Sequence, residues 1–290
     1  ESRGLGDVYK RQMYGNLGKV ENKGLDFSID YVKRFNKDFD MSFKGTFTYA
    51  HNKVLEYDEP DFQKYPNISR VGHSVDQQLL YIAERLFIDD SEVQRNPKQN
   101  LGGWVSGGDI KYKNLPDVNG NYDNVIDSND RQYTGMPTTP EIVYGFGPSL
   151  RYKKFDFSFF FQGAARVSIM MNGIHPFGAD GTRNVLQFIA DDYWSDTNQD
   201  IYAGYPRLSK RDNENNTKAS TYWQRNGAFL KLKNLEVGFN HKFFRVYLRG
   251  SNLLTFSPFK YWDPEMGSGS GLSYPTQRVF NVGVQFSINK

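Results

Sequence analysis

The stretch from Asp117 to Asp130 concentrates hard oxygen donors: Asp117, Asn119 and Asn121 alternate, and Asp123, Asp127 and Asp130 follow. Carboxylate and amide oxygens at alternate positions are how an EF-hand-type loop surrounds Ca2+, so Asp117, Asn119, Asn121, Asp127 and Asp130 form the candidate calcium site. The spacing then departs from that pattern. Two extra residues precede Val125 and Ile126, and Tyr122 stands where the tight turn wants glycine. The competing reading is an Asx-rich loop held by side-chain to backbone hydrogen bonds. A second candidate set is aromatic. Trp104, Tyr193, Trp194, Trp223 and Trp262 lie in polar stretches, where flat ring faces stack on sugars or on a partner protein, unless they pack their own loops or mark a membrane interface. Carboxylates at Glu56, Asp58 and Glu59 and at Asp191 and Asp192 accompany no motif that would position a nucleophile or a general acid. His51, His73, His175 and His241 are scattered without metal-ligand spacing. With no cysteine, thiol catalysis, disulfides and thiolate metal sites are excluded. The sequence predicts no enzyme.

The elements that must position these residues are strands. Seven stretches alternate apolar and polar residues with period two. In residues 39–49 (FDMSFKGTFTY), Phe39, Met41, Phe43, Phe47 and Tyr49 share one face and Asp40, Ser42, Lys44, Thr46 and Thr48 the other. Residues 24–35, 39–55, 142–152, 155–164, 227–240, 244–254 and 278–288 read as strands, joined in pairs by tight turns at Asn36, Lys153 and His241. A phase slip between Leu232 and Leu235 predicts a bulge near Lys233 or Asn234. Between the pairs lie long polar connections over residues 56–139, 165–225 and 256–275. A short strand is expected at 79–87, a helical turn at 89–94, and an amphipathic helix carrying Val185, Leu186, Phe188, Ile189 and Tyr193 on one face. Turns short at one end and loops long at the other are the signature of an outer-membrane barrel rather than a soluble sandwich. Phe155, Phe157, Phe159 and Phe161 on one face require lipid or a deep core. Lys231, Lys233, Glu236, Arg245 and Arg249 then face the lumen.

Composition agrees. Aromatics make up 16% of the chain, with 23 Phe, 19 Tyr and 4 Trp, as interfacial girdles would use them. Mean hydropathy is −0.68, and no apolar run approaches the roughly 18 residues of a spanning helix. Thirty-six basic residues against 33 acidic ones give a net charge of +3 with no basic cluster, so nucleic acid is not an expected partner. Residues 7–12 (DVYKRQ) look like a translated sequencing adapter, and residues 1–12 are set aside from the fold.

Several ordered segments carry a family resemblance: NLGKVENKGLDFSIDY, GGDIKYKNLPDVNGNYDNVIDSNDRQYTG, YGFGPSLRYKKFDFSFFFQG, YPRLS, FLKLKNLEVGF, YLRGSNLLTFSPFKYWDPE and the last strand. Over residues 13–290 the chain resembles the C-terminal part of the barrel of the SusC/RagA family of TonB-dependent outer-membrane transporters. The resemblance implies that these residues belong to a barrel of about 22 strands, whose plug domain and TonB box lie upstream. It implies a SusD-like surface lipoprotein as lid, energy relayed by the TonB complex, and import of a glycan or oligosaccharide, or in some members a peptide. The expected fold is all-β: an antiparallel meander of about seven strands, part of a larger transmembrane β-barrel, with long extracellular loops containing short helices and with both edges unpaired. The alternative is a soluble all-β carbohydrate-binding module, which would need a second sheet against the Phe155 to Phe161 face.

Overall fold

The computed structural model describes residues 15, 17–178 and 180–287. The adapter-like residues 1–12 and Ile288 of the expected last strand lie outside the described residues. Seven strands form one sheet: β1 (Lys19–Arg34), β2 (Phe39–Glu56), β3 (Ile142–Tyr152), β4 (Phe155–Ala165), β5 (Phe229–Asn240), β6 (Phe244–Phe256) and β7 (Val279–Phe286). Each pairs antiparallel with its neighbour in the chain, so sheet order is sequence order. β1 is longer than the alternation predicts, because residues 19–23 pair with the outer end of β2, Lys19 opposite Glu56. Among the described residues β1 and β7 each have one neighbour, and the meander is open at both edges.

The turns follow from local chemistry. Asn36 Oδ1 accepts the N–H groups of Asp38 and Phe39 at 2.9 Å each, closing the β1–β2 hairpin as an Asx turn. Lys153 takes a left-handed φ of 53° to close β3–β4. The His241 N–H donates to the Phe244 carbonyl at 2.7 Å in the third hairpin. All three turns fall at one end, and the connections 57–141, 166–228 and 257–278 all fall at the other.

Register sorts the side chains onto two surfaces. One row across the sheet runs Met41, Leu150, Phe157, Val237, Leu248, Val282, and the adjacent row, one residue along, runs Asp40, Arg151, Asp156, Gly238, Tyr247, Gly283. The bulge lies at Lys233: Leu232 and Asn234 pair with Phe161 and Phe160 on β4, and with Leu254 and Ser251 on β6. Without it, Leu230 and Leu232 would face opposite to Leu235, Val237 and Phe239. Among the described residues the apolar surface lacks protein cover, with Leu248 52% and Val282 77% exposed. Among the described residues no second sheet of comparable size accompanies the seven strands, so the second sheet that a soluble sandwich would need against Phe155, Phe157, Phe159 and Phe161 is not observed there. On the opposite surface, Arg245 bridges Asp156 and Glu236 at 2.5 and 2.6 Å, and Arg249 approaches Glu236 at 3.5 Å. These are the paired charges of a wet interior.

The dry core is elsewhere. Of the buried hydrophobic side chains among the described residues, only Val54, Ala164 and Leu232 belong to the seven strands. The main cluster, including Leu80, Leu86, Ile110, Tyr112, Ile126, Ile169, Ile189, Trp194, Trp223 and Phe259, is built wholly from the three long connections. They condense into one cap at the end of the sheet. The expected strand at 79–87 is two, Gln78–Tyr81 and Ala83–Leu86, pairing with Arg131–Thr134 and Ile110–Tyr112. α1 (Asp90–Arg95) begins on Asp89, whose side chain accepts the Glu92 N–H. α2 (Gln187–Asp191) is only five residues long, yet Ile189 is buried, and Val185, Leu186, Phe188 and Tyr193 pack against the core as their spacing predicts.

Replacing Phe157 or Val282 with Arg in the full-length protein is expected to cost about 2–4 kcal/mol of folding free energy in lipid vesicles if they sit near the bilayer midplane, and Gln285→Arg about 1 or less. Equal costs on the two faces would invert the assignment.

Candidate functional site

The cap is held by a polar seam between the first and second connections. Asp109 is fully buried and accepts from Arg207 Nη2 at 3.0 Å, Asn216 Nδ2 at 2.8 Å and the Ser106 N–H at 2.9 Å. Asn216 Oδ1 in turn accepts the Ile110 N–H at 2.9 Å. Asn215 receives Gln99 Nε2 at 2.6 Å and donates to the Ile110 carbonyl at 3.0 Å, while Gln99 Oε1 accepts the Tyr112 N–H at 2.7 Å. The short helix α3 (Glu214–Thr217) presents both asparagines, and the Asn213 side chain accepts the Asn215 N–H at its start. Each buried polar group so satisfied escapes a desolvation cost of about 1–3 kcal/mol. No periodic pattern marks Asn215 and Asn216 in the sequence, and their role follows only from tertiary placement.

Two recesses flank this seam. A cleft of ≈ 170 Å³ has an apolar floor that includes Met170, Ile174, Tyr205 and Trp223, and a rim carrying His175, Arg211, Asp212 and Lys218. His175 Nδ1 lies 2.7 Å from Asp212 Oδ1. Burial pushes the Tyr205 hydroxyl above its usual value, and the Asp212 charge acts in the same direction. A more open recess of ≈ 540 Å³ is lined by Asp89, Asp90, Ser106, Tyr193, Trp194 and Asp196. There the Ser106 hydroxyl and the Gly107 N–H hold the Asp90 carboxyl below its ordinary range. Arg207 lines both recesses, with its guanidinium 4.9 Å from the Trp104 ring centre.

The expected aromatic residues separate into three groups. Trp104 is 71% exposed. Trp194 and Trp223, at 5% and 6%, have their faces covered by the cap itself. Trp194 packs on Gly108, whose φ of +79° and position leave no room for a side chain, since a Cβ there would lie 2.2 Å from the indole. Trp223 donates its Nε1–H to the Asn216 carbonyl at 2.7 Å, and only part of it reaches the cleft. Tyr193 and Trp262 are half-buried against the core, with Trp262 Nε1 donating to the Gly267 carbonyl at 3.0 Å. Pattern alone cannot separate these cases, because all five residues sit in loops whose compaction no local signal reports.

The candidate calcium loop uses its oxygens internally. Asp117 Oδ1 accepts the Asn119 and Asn121 N–H groups at 2.9 Å each, Asp123 accepts from Val125 at 3.0 Å, and Asp127 from Asn129 at 2.8 Å. Asp130 receives the Leu115 and Asp127 N–H groups at 2.7 Å each. The Asn121 N–H holds the Asp117 carboxyl low, whereas burial pushes Asp130 up. Among the described residues no three acidic or imidazole side chains converge on a cation position. These short-range bonds from backbone amides to carboxylates are the geometry of an Asx-rich loop.

The histidines have local partners. His51 Nδ1 and Arg166 Nε both lie 2.5 Å from the buried Glu141 carboxylate, tying the outer ends of β2, β3 and β4. His73 stacks on Tyr133 and His241 on Phe244. The lumen-facing lysines hold the third connection. Lys231, 1% exposed, lies 2.5 Å from both Asp263 and Glu265, and Lys233 lies 2.8 Å from Glu265. Burial opposes ionisation of Asp263, but Lys231 and the Glu265 N–H outweigh it and hold that carboxyl below its usual range.

No protein-family model matches the chain. It is 28% identical over 298 residues to TonB-dependent receptor P3 of Formosa agariphila, covering 93% of this chain and 29% of that protein. It is 24% identical over 299 residues to TonB-dependent receptor SusC of Bacteroides thetaiotaomicron, covering 97% of this chain and 28% of the relative. The chain therefore spans under a third of the length of these curated relatives. Among solved structures, the RagAB peptide importer in its open-open state superposes with a TM-score of 0.66 at 19% identity, covering 93% of this chain and 29% of the other. The closed-closed state gives 0.65 at 21% identity, covering 94% and 30%. This likeness carries the fold.

Two outcomes are expected of the cap. Trp223→Ala is expected to destabilise it by about 3–5 kcal/mol and Trp104→Ala by less than about 1, read as hydrogen exchange of residues 78–134 and 187–226 in the full-length protein. Acidification should also loosen it. Burial works against ionisation of Glu92, but Arg85, the Ile88 N–H and Lys111 prevail and hold its carboxyl at about 2, against an ordinary 4.5. Its contribution is complete above pH 4.5 and is lost as pH falls toward 2. Glu92→Gln should flatten that part of the pH profile of hydrogen exchange around α1, and an unchanged profile would assign the loss to other carboxylates.

Proposed function

We propose that this chain, a SusC/RagA-like segment of an outer-membrane β-barrel, works within an active importer of nutrients energised through TonB. The observation that carries the reading is the coincidence of sheet and sequence. A meander with all short turns at one end and all long connections at the other aligns over 93% of its length with a TonB-dependent receptor. The short turns are assigned to the periplasm and the cap to the cell exterior.

In this reading the cap is where cargo is first met and where a SusD-like surface lipoprotein closes as a lid. The TonB complex acts through a part of the protein outside this chain. Cargo is a glycan, as the sequence resemblance favours, or a peptide, as analogy with the RagAB peptide importer favours. The exposed face of Trp104 beside Arg207 is suited to stack on a sugar ring or a partner aromatic side chain, each contact contributing about 1 kcal/mol. No step breaks a bond in the cargo. The residues serve capture and passage, and we assign no enzymatic role.

Deleting the full-length gene should abolish uptake of the cargo at limiting concentration. A protonophore should also stop uptake in the intact strain, and the surface lipoprotein should co-purify with the barrel. Uptake that persists without the gene, or is indifferent to the proton gradient, would contradict the proposal.

A further inference from the structure

We infer that the cleft in the second connection is a subsite for a carboxylate-bearing ligand, seated with its apolar body on Met170 and Trp223 and its carboxylate between Arg211 and Lys218. The inference rests on the import reading and adds the chemical class of what the cap receives. Four basic side chains line this cleft against one carboxylate. Two of the four are already matched. Arg207 lies 2.8 Å from the buried Asp109, which neutralises it, and His175 faces Asp212. Arg211 and Lys218 take part in no ion pair among the described residues, and with Asp212 as the one carboxylate of the lining the cleft keeps a net positive charge above an apolar floor.

A cation at the mouth of a partly enclosed, low-dielectric recess attracts an anion more strongly than the same group on open surface. A guanidinium adds a planar fork that matches a carboxylate with two parallel hydrogen bonds. At ≈ 170 Å³ the cleft admits one residue or one ring of a longer ligand. Both a peptide C-terminus and an acidic sugar present this chemistry.

The test uses the full-length protein in detergent, with dansylglycine and its uncharged amide as probes read by energy transfer from tryptophan. The carboxylate form should bind about tenfold or more tightly than the amide. The double variant Arg211→Gln with Lys218→Met should lose that preference while keeping the near-ultraviolet circular dichroism of the cap. Displacement of dansylglycine by trialanine but not its amide would identify a peptide source. Displacement by trigalacturonate but not by a neutral galactose trimer would identify an acidic glycan. Equal binding of probe and amide, no binding, a preference that survives the double variant, or displacement by sulfate but not by carboxylates would overturn the inference. Cargo uptake that continues in such a case would leave the import reading standing, so the two failures are distinguishable.

Discussion

Everything in this structure depends on an apolar sheet surface that faces out of the protein. Because Met41, Leu150, Phe157, Val237, Leu248 and Val282 align in one row and their neighbours Asp40, Arg151 and Asp156 in the next, the sheet has one surface suited to hydrocarbon and one suited to water. Neither can supply a dry protein core. The apolar side chains that would fill one in a soluble protein are directed to lipid, and the opposite surface carries paired charge. The remaining hydrophobic residues must therefore be buried somewhere else, and the three long connections bury them against each other. A connection of this length would be too costly in entropy to order alone. Three of them sharing one core, with Asp109, Asn215 and Asn216 satisfying the polar groups at the seam, form an ordered cap.

Cap and sheet are joined by charge as well as by chain. Asp263 and Glu265 of the third connection reach β5 and meet Lys231, just before the bulge, and Lys233, which forms it. Glu141 draws His51 and Arg166 together where β2, β3 and β4 enter the cap. The buried pairs cost desolvation and return it through close, multiply bonded geometry, so their main effect is to fix where the cap sits on the sheet. Its recesses are thereby held in a fixed position relative to the lumen wall.

Much of the sheet was legible from period two alone. Strand number, pairing order, the parity of turns and loops, and the bulge beside Leu232 all follow from which residues must share a face, since a one-residue slip exposes the whole apolar set to the wrong side. The cap was not legible in the same way. Trp104 and Trp223 look alike in sequence, yet one is exposed on Arg207 and the other is buried under Tyr205 and Tyr222, a difference set by contacts between connections far apart in the chain. The Asp117 to Asp130 stretch likewise satisfies two patterns at once. Its carboxylates turned to the backbone because short-range amide donors were available at spacings of two to four residues, and local hydrogen bonds require no further chain ordering. Asn215 and Asn216 carry the seam with no signal beyond an ordinary polar turn.

The two-faced sheet can be measured residue by residue, since the sequence contains no cysteine and single cysteines introduce unique labels. Spin labels at positions 245–249 on β6, in the full-length protein in lipid vesicles, report contact with oxygen dissolved in hydrocarbon and with a nickel chelate dissolved in water. The labels at Val246 and Leu248 should be reached by oxygen and shielded from nickel, and those at Arg245, Tyr247 and Arg249 should show the reverse. Accessibility that does not alternate with period two, or that places Leu248 in water, would contradict a lipid-facing sheet and with it the placement of the cap at the mouth of a barrel.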